Sequence, residues 1–336
     1  MPASFQSDFN KLAEVALAYR SSKPLLVALH YDLFSWIEAG CGSPEKLGRR
    51  LKLDRRALAV LLDAVASLGF LAKRDGGYRN TRLSRRLLTS ASPDYVGDSL
   101  KYQESTWDAW SDLRRVLKTG RPRMDLLDWI HKGFFTRDYV KAMGDVAKTP
   151  ARELARGLDW TGVGRSLDVG CGSGAYSRAF VERAPRLEAV LLDLPRTLTV
   201  TKSLLRGHPD LRRMTFKAAN YLADDLGEGE YDLALISNVT HVEDEKSNRG
   251  LVAKAFRALR PGGRLVIHDF VVRPDRTGPR FASLLGLHLL LFTGKGAVYT
   301  TKEYSDWMRQ AGFRPVSHMP IAQESLHPSV AVIGRK

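Results

Sequence analysis

The sequence predicts an α/β protein in which a mainly helical first part precedes a parallel β-sheet. Helical spacing of apolar residues dominates before residue 150, and from residue 164 onward strand-length apolar runs alternate with helical segments. The length of 336 residues exceeds what one hydrophobic core usually organises. We therefore expect at least two domains, with a boundary near residue 150.

The first helices are predicted by apolar positions at helical spacing in residues 8–38. Pro24 is expected to divide this segment into two helices, because proline lacks the backbone N–H that a helix interior needs.

A winged helix-turn-helix is predicted next. Ser43 is a suitable N-cap with Pro44 at the first helical position, and Asp54 is a suitable N-cap for the following helix. Gly69 is expected to end that helix, and two short strands are expected around the turn at residues 75–77. A helix, a turn, a second helix and a hairpin in this order are typical of a winged helix.

A winged helix can bind DNA, form a dimer or cover a substrate pocket. Further helical patterns follow at residues 107–122 and 134–158 and lead directly into the α/β region, which favours the second and third uses. We predict a winged-helix dimerisation domain in residues 1–95 and a helical connector in 96–150 that contributes to a substrate pocket. The aromatic residues expected in helix packing, with a few lining that pocket, are Trp107, Trp110, Trp129, Phe134, Phe135 and Tyr139.

The α/β domain is predicted over residues 151–336, with seven strands. Five strands are expected at residues 166–170, 189–193, 214–219, 231–237 and 264–270, and two more at 314–321 and 329–336 after a helix at 300–313.

The composition is that of a folded soluble protein, with 44% hydrophobic and 26% charged residues. Cys41 and Cys171 lie too far apart in sequence to indicate a disulfide framework or a cysteine metal cluster. The N-terminal residues lack the pattern of a secretory signal, and the longest apolar run, residues 284–292, is too short to span a bilayer. We expect a cytoplasmic protein with no membrane partner.

The net charge of +15 raises the question of an anionic partner. Arginines and lysines are concentrated between residues 49 and 86, although they recur throughout the chain. A solvated surface is the commoner explanation of such charge, so no nucleic-acid partner is expected. An anion-binding role for the first domain stays open.

A glycine-rich loop follows the first predicted strand of the α/β domain, in the sequence SLDVGCGSG at residues 166–174. Gly170, Gly172 and Gly174 allow the backbone to approach a bound molecule closely and to turn into a helix. Dinucleotides and S-adenosylmethionine both use such loops, and Asp193 at the end of the second strand suits the ribose of either. These two features leave both cofactors open.

The fourth strand leads into ISNVTHVEDE, and the fifth strand lies within LRPGGRLVIHDF. With these segments, and with WDAW…LKTGRP, YVKAM, LLDLP, KAANYL and YTTKEYSDWMRQAGF, the chain resembles the class I S-adenosylmethionine methyltransferases. It is most similar to small-molecule O-methyltransferases with an N-terminal winged-helix dimerisation domain, such as acetylserotonin and caffeate methyltransferases. The resemblance covers nearly the whole chain and implies a Rossmann-like seven-stranded sheet, S-adenosylmethionine as cofactor, a homodimer and a small aromatic or natural-product acceptor.

The resemblance also implies a set of cofactor-binding residues: Asp168, Gly170, Gly172, Gly174, Asp193, Leu194, Asn220, Tyr221 and Ser237. Asp193 would hold the ribose, Leu194 would flank the adenine and Tyr221 would stack on it. Asn220 replaces the family's adenine-binding carboxylate, and its amide oxygen can still accept a hydrogen bond. Ser237 stands where many members have a lysine.

Methyl transfer to a hydroxyl benefits from a base, because a phenol loses its proton only near pH ~10 whereas histidine titrates near ~6.5. The resemblance implies that His241 is this base and that Asp269 orients it. Two departures from the family weaken this support: Val242 and Glu243 replace an Asp-Trp pair, and Val298 replaces a second orienting glutamate.

The predicted acceptor contacts are Tyr139, Met143, His288 and Phe292. O-methylation is the leading prediction, with C- or N-methylation as the alternative. One such alternative is metal-assisted methylation of an α-keto acid through His241 and His288, although no metal site is predicted otherwise. The alternatives of other classes are a DNA-binding regulator and an NAD-binding protein, and an NAD-binding loop would need a dinucleotide pattern that Gly174 interrupts.

Overall fold

The computed structural model of the chain describes residues 5–122, 125 and 136–336. It divides into two units, Met1–Trp107 and Asp108–Lys336. Three of the aromatic residues predicted to pack between helices, Trp129, Phe134 and Phe135, lie outside the described residues. Within the described residues, every helix falls short of the length or the apolar character needed to cross a bilayer.

The first unit is helical apart from one hairpin. Its described elements are α1 (Phe5–Leu17), α2 (Tyr19–His30), α3 (Leu33–Glu38), α4 (Pro44–Leu51), α5 (Arg55–Ser67), β1 (Leu71–Arg74), β2 (Gly77–Asn80), α6 (Arg82–Leu87) and α7 (Gly97–Ser105). The order α4, α5 and hairpin confirms the predicted winged-helix pattern.

The two predicted N-caps are present. The Ser43 hydroxyl accepts a hydrogen bond from the Lys46 N–H at 3.3 Å, and the Asp54 carboxylate accepts one from the Ala57 N–H at 2.8 Å. These bonds satisfy backbone N–H groups that have no partner in the first turn of a helix.

The prediction that Pro24 separates two helices is wrong. The interruption falls at Ala18, and Pro24 lies inside α2. Proline removes one backbone donor, but its fixed φ of about −65° is compatible with a helix. The helix therefore continues through Pro24 with one hydrogen bond fewer.

From residue 107 onward, helices alternate with strands. The described helices are α8 (Trp107–Ser111), α9 (Leu113–Thr119), α10 (Thr136–Gly157), α11 (Ala175–Arg183), α12 (Pro195–Leu204), α13 (Glu245–Ala258), α14 (Arg280–Phe292) and α15 (Thr301–Ala311). The strands are β3 (Arg165–Val169), β4 (Glu188–Asp193), β5 (Met214–Ala218), β6 (Tyr231–Ser237), β7 (Leu259–Asp269), β8 (Val316–Ile321) and β9 (Ser329–Arg335).

The seven strands form one sheet in the order β5-β4-β3-β6-β7-β9-β8, which confirms the predicted α/β class. The first five are parallel, and β9 runs antiparallel to both of its neighbours. Because β4 and β6 lie on opposite sides of β3, the chain changes direction there. The carboxyl ends of β3 and β6 border the crevice that such a change creates, and ligands of open α/β sheets bind in that position.

Two hydrophobic cores cover the two faces of the sheet. In β6, Leu233 and Leu235 belong to one core, whereas Ala234 and Ile236 belong to the other. Strands buried on both faces are nearly continuously apolar, which explains the apolar run at residues 233–236 in the middle of β6.

The strand β7 is longer than predicted. Residues 259–263, the LRPGG segment, precede the strand predicted at 264–270, but they belong to β7. Leu259 pairs with Tyr231 across a local register shift in the ladder between β6 and β7. Pairing with the neighbouring strand therefore overrides the local turn signal of proline and glycine.

Candidate functional site

The glycine loop joins β3 to α11 with three glycines at positive φ, Gly170 at 72°, Gly172 at 52° and Gly174 at 76°. A Cβ at Gly170 would lie 2.6 Å from Val239 Cγ2, and one at Gly174 would lie 2.9 Å from Leu205 Cδ1. A Cβ at Gly172 would meet no heavy atom of the described residues within 4 Å. Packing therefore requires the outer glycines, whereas the space beside the Gly172 Cα is open and could hold part of a ligand.

Asp193 lies at the end of β4 and fixes this loop. One carboxylate oxygen accepts the Gly172 N–H at 2.9 Å, and the other accepts the Leu194 N–H at 2.7 Å. Burial raises the pKa of Asp193, while these backbone bonds oppose the shift. Each oxygen keeps a further lone pair with which to accept a hydrogen bond from a ligand.

Asp168 is the second carboxylate of this edge and is only 3% exposed. It accepts a hydrogen bond from the Ser177 hydroxyl at 2.7 Å. Burial raises the pKa of Asp168 to about 6, and the charge of Asp193 adds to the shift. Two carboxylates kept close together in a buried position favour a positively charged ligand.

His241 lies in one turn of 3-10 helix, Thr240–Val242, that follows β6. Its Nδ1 lies 2.7 Å from Asp269 Oδ1 at the end of β7. An ionised carboxylate only accepts, so Nδ1 carries the proton and Nε2 keeps its lone pair. The parallel pairing of β6 with β7 brings together the two residues that the resemblance assigns as base and orienter.

The carboxylate of Asp269 is held at both oxygens. Oδ1 also accepts the Phe270 N–H at 2.8 Å, and Oδ2 accepts the Thr240 hydroxyl at 2.5 Å. The Tyr304 hydroxyl lies 2.8 Å from the same Thr240 oxygen. Burial opposes the ionisation of Asp269, but His241 and these hydrogen bonds together hold its pKa below the usual range.

Thr240 and Tyr304 were not singled out from the sequence, because a hydroxyl beside a histidine carries no specific signal. Val298, which replaces the family's second glutamate, packs in an apolar cluster with Val272, Ala282 and Leu289. A hydroxyl group, that of Thr240, holds Asp269 Oδ2, and the Tyr304 hydroxyl in turn contacts Thr240.

The cofactor-side segment after β5 carries Asn220 and Tyr221. Asn220 is exposed, and its amide oxygen accepts the Leu222 N–H at 2.9 Å. Lys254 on α13 donates to the carbonyls of Tyr221 at 3.2 Å, Leu222 at 2.7 Å and Asp224 at 2.9 Å. Lys254 therefore fixes the backbone of this segment, a role that the sequence did not indicate.

Glu243 is fully buried and contacts the same segment. Its Oε1 accepts the Tyr221 hydroxyl at 2.9 Å, and its Oε2 forms an ion pair with Lys295 Nζ. Sequence reasoning treated Glu243 only as a departure from the family pattern. A charged residue replacing an aromatic one was the available signal that it has a polar partner.

Ser237 is 8% exposed at the end of β6, and its hydroxyl lies 2.9 Å from His268 Nδ1. His268 is fully buried and also contacts the Tyr176 hydroxyl at 3.1 Å and the Ser329 hydroxyl at 2.8 Å. Burial lowers the pKa of His268 to about 4, so it is neutral at physiological pH. Ser237, Tyr176, Ser329 and neutral His268 therefore form a buried hydrogen-bonded cluster without a charged member.

Three of the four predicted acceptor residues lie in or against one apolar cluster. Tyr139 of α10 and Phe292 of α14 belong to it with Trp110. The ring of His288 lies 4.4 Å from that of Phe292 and 6.1 Å from that of Trp110. Met143 is partly buried one turn further along α10 than Tyr139.

Two residues of this cluster have pKa values that respond to charges at the two ends of the site, His241 at one end and Asp193 at the other. Burial lowers the pKa of His288 to about 4, and the charge of His241 adds to the shift. Burial raises the pKa of Tyr139 to about 12, and the Asp193 carboxylate adds to it. Among the described residues, no three His, Cys, Asp or Glu side chains form a group that could hold a metal ion.

Two sequence families match the chain. Residues 130–314 match the O-methyltransferase domain, and residues 13–90 match the O-methyltransferase dimerisation domain. The chain belongs to the O-methyltransferase family. This assignment confirms the family that the sequence motifs predicted.

Similar proteins cover nearly the full length of this O-methyltransferase. The 3-hydroxy-5-methyl-1-naphthoate 3-O-methyltransferase of Streptomyces sahachiroi is 30% identical over 95% of this chain and 94% of its own. The tetracenomycin polyketide synthesis 8-O-methyl transferase of Streptomyces glaucescens is 26% identical over 97% and 96%. The crystal structure of human N-acetylserotonin methyltransferase in complex with SAM superposes with a TM-score of 0.89, at 22% identity over 100% of this chain and 99% of that chain.

The O-methyltransferase is thus an S-adenosylmethionine-dependent enzyme, as predicted. The roles of its individual residues are predictions, and the geometry above shows which of them lie together.

Proposed function

We propose that this enzyme transfers the methyl group of S-adenosylmethionine to a hydroxyl oxygen of a small aromatic natural product, with His241 as the base. The observation that carries this proposal is the 2.7 Å contact between His241 Nδ1 and Asp269 Oδ1 at the same sheet edge as the glycine loop. The two Streptomyces relatives, by their names, methylate a hydroxynaphthoate and a tetracenomycin polyketide. Both names support an aromatic, polyketide-like acceptor.

The cofactor would lie across the carboxyl ends of β3 and β4. Its positive charges would face the carboxylates of Asp168 and Asp193, and its ribose hydroxyls would donate to Asp193. The backbone at Gly172 faces open space and would contact the methionine portion. Leu194 and Tyr221 would flank the adenine, with Asn220 accepting from its amino group through the second lone pair of the amide oxygen.

The remaining residues of the predicted cofactor set would support the site rather than surround the ligand. Gly170 and Gly174 shape the loop through the close packing described above. Ser237 would present a neutral polar group where many family members have a lysine, and its bond to His268 holds it in place.

In the reaction, the acceptor oxygen forms a bond to the methyl carbon while the carbon–sulfur bond breaks and its electron pair stays on sulfur. The hydroxyl proton goes to His241 Nε2, the ring nitrogen that does not contact Asp269. The ionised Asp269 then stabilises the imidazolium. Alignment of oxygen, methyl carbon and sulfur supplies much of the rate acceleration.

The acceptor would lie against Tyr139, Met143, His288 and Phe292. Aromatic rings prefer offset or edge-to-face contacts with other rings, so this cluster suits a planar aromatic acceptor. His288 is neutral above pH ~5, given a pKa of about 4, and could exchange one hydrogen bond with a polar substituent of the acceptor.

We further propose that the enzyme is a cytoplasmic homodimer formed by its winged-helix domain, residues 1–95. The match of residues 13–90 to a dimerisation domain supports this. Exposed apolar side chains on α1 support it too, since Phe5 is 83%, Leu12 71% and Val15 72% exposed. Residues 96–150 would contribute to the acceptor pocket and residues 151–336 would hold the cofactor.

The proposal is tested with a panel of hydroxynaphthoates and related phenols and S-adenosylmethionine labelled at the methyl group. We expect a labelled methyl ether as product. His241→Asn is expected to lower kcat about 10²–10⁴-fold while the Kd of S-adenosylhomocysteine stays within twofold. His318→Asn, on the outer strand β8, is the matched control and should leave both unchanged. Full activity of His241→Asn, or a label found on carbon, would contradict the proposal.

A further inference from the structure

A buried ion pair lies beside the catalytic histidine. Glu243 is two residues beyond His241 and is fully buried, whereas the side chain of Lys295 is 38% exposed. Lys295 belongs to the segment between α14 and α15, residues 293–299, which we name the covering loop. Among the described residues, the Glu243 carboxylate is the charged partner of the Lys295 ammonium group.

The covering loop is bonded to the backbone of His241. The Ala297 N–H donates to the His241 carbonyl at 3.0 Å. Gly296 packs so closely that a Cβ there would lie 2.7 Å from the same oxygen. The Gly296 N–H donates to the Thr293 hydroxyl at 2.8 Å, which fixes the start of the loop. The position of the loop therefore affects the position of the histidine.

The other oxygen of Glu243 faces the cofactor side. It accepts the Tyr221 hydroxyl at 2.9 Å, and Tyr221 follows β5 in the segment held by Lys254. Burial and the negative charge of Glu243 raise the pKa of Tyr221, so the phenol stays protonated and remains a donor. One carboxylate thus receives Tyr221 at one oxygen and Lys295 at the other.

The backbone of Glu243 is fixed independently of these contacts. Its carbonyl accepts the Tyr299 hydroxyl at 2.7 Å and the Asn248 amide at 3.3 Å. The backbone of Glu243 is therefore held in place. A shift of the group at one carboxylate oxygen is passed on to the group at the other.

We propose that Glu243 and Lys295 are positioning residues that couple cofactor binding to the placement of His241. A cofactor stacked on Tyr221 fixes the phenol, the phenol fixes Glu243, Glu243 holds Lys295, and the covering loop then holds the His241 backbone. This coupling supplies the support that Val298, in place of a second glutamate, does not give. The proposal rests on the proposed function in one respect, the place of Tyr221 beside the cofactor.

Three variants test the coupling in the full-length enzyme: Tyr221→Phe, Lys295→Met and the double variant. Each single change is expected to lower kcat about tenfold by misplacing the base, with the Kd of S-adenosylhomocysteine within twofold of the wild type. The double variant should be no slower than the slower single one, because both changes interrupt the same chain of contacts. Lys295→Arg should recover at least half of the wild-type kcat.

Lys302→Met is the matched control, since Lys302 is exposed and pairs only with Asp306 in the described residues. It should leave kcat and KM unchanged. A double variant about 100-fold slower than the wild type, the product of two independent effects, would overturn the proposal. So would full activity of Lys295→Met.

Hydrogen exchange gives a readout that needs no acceptor. In the wild type, S-adenosylhomocysteine is expected to slow amide exchange in residues 293–299 at least threefold, and in Tyr221→Phe this effect should disappear although the ligand still binds. Unchanged exchange in the wild type would overturn the coupling. A failure of the proposed function would appear elsewhere, as activity of His241→Asn, so the two failures are distinguishable.

Discussion

The two ends of the site hold their functional side chains in different ways. At the glycine loop, backbone N–H groups hold the Asp193 carboxylate, and the partners are 21 residues apart or fewer. At the histidine turn, contacts between side chains are added to backbone bonds, and Thr240 contacts Tyr304 at a separation of 64 residues. The cofactor end therefore depends on the course of the backbone, whereas the histidine end depends on individual side chains from several elements.

Apart from the loss of the proposed base itself, the largest expected effect concerns the cofactor end. Asp193→Ala removes the acceptor proposed for both ribose hydroxyls, so cofactor binding should weaken by roughly 2–3 kcal/mol, while kcat at saturation changes little. Calorimetry with S-adenosylhomocysteine measures this. Asp210→Ala, a carboxylate outside the sheet edge that pairs with Arg213, is the control. An unchanged Kd for Asp193→Ala would refute the placement of the ribose.

A smaller effect is expected at the histidine end. Thr240→Val removes the hydroxyl that holds Asp269 Oδ2 at nearly constant volume, so kcat should fall about tenfold because the imidazole is less firmly oriented. Thr240→Ser should restore most of the activity, since it keeps the hydroxyl. The buried Thr106→Val in the first unit controls for the general cost of such a change. Equal activities of the Val and Ser variants would show that the hydroxyl does not orient Asp269.

The third effect, no larger than that of Thr240→Val, is a pH dependence of cofactor affinity. Asp168 has a pKa raised to about 6 by burial, and a positively charged cofactor requires its ionised form. Affinity should therefore be lost as pH falls through about 6, with a Kd about tenfold larger at pH 5 than at pH 7. Asp168→Asn should flatten this profile. A wild-type Kd constant between pH 5 and 7 would separate Asp168 from the cofactor.

The raised pKa of Asp168 has a matching effect on stability. The folded protein binds the proton more tightly than the unfolded chain, so the free energy of unfolding of the cofactor-free enzyme should fall as pH rises from about 4 to 6. The cofactor offsets this cost when it binds to the ionised form.

Much of the fold and of the cofactor end could be predicted from the sequence, because their signals are local. Ser43 and Asp54 each cap a helix within three residues, and Gly170 to Gly174 form one continuous loop. The pairing of His241 with Asp269 was predicted from the family resemblance alone, and the parallel pairing of β6 with β7 brings the two residues together.

The rest depended on contacts between distant residues. The ion pair of Glu243 with Lys295 joins residues that share no motif, and the longer β7 required knowing that Leu259 pairs with Tyr231. Pro24 was misplaced because a local rule for proline ignored the helical φ that its ring allows. Such features are decided by tertiary packing and by strand pairing.

The position of β9 has a consequence for how the enzyme is made. The strand inserts between β7 and β8, and Val330 pairs with Asp269. During synthesis, β7 therefore lacks its second neighbour until residues 329–335 have left the ribosome. Until then Asp269 lies on an open strand edge, and a nascent chain arrested before that point would present this edge to chaperones.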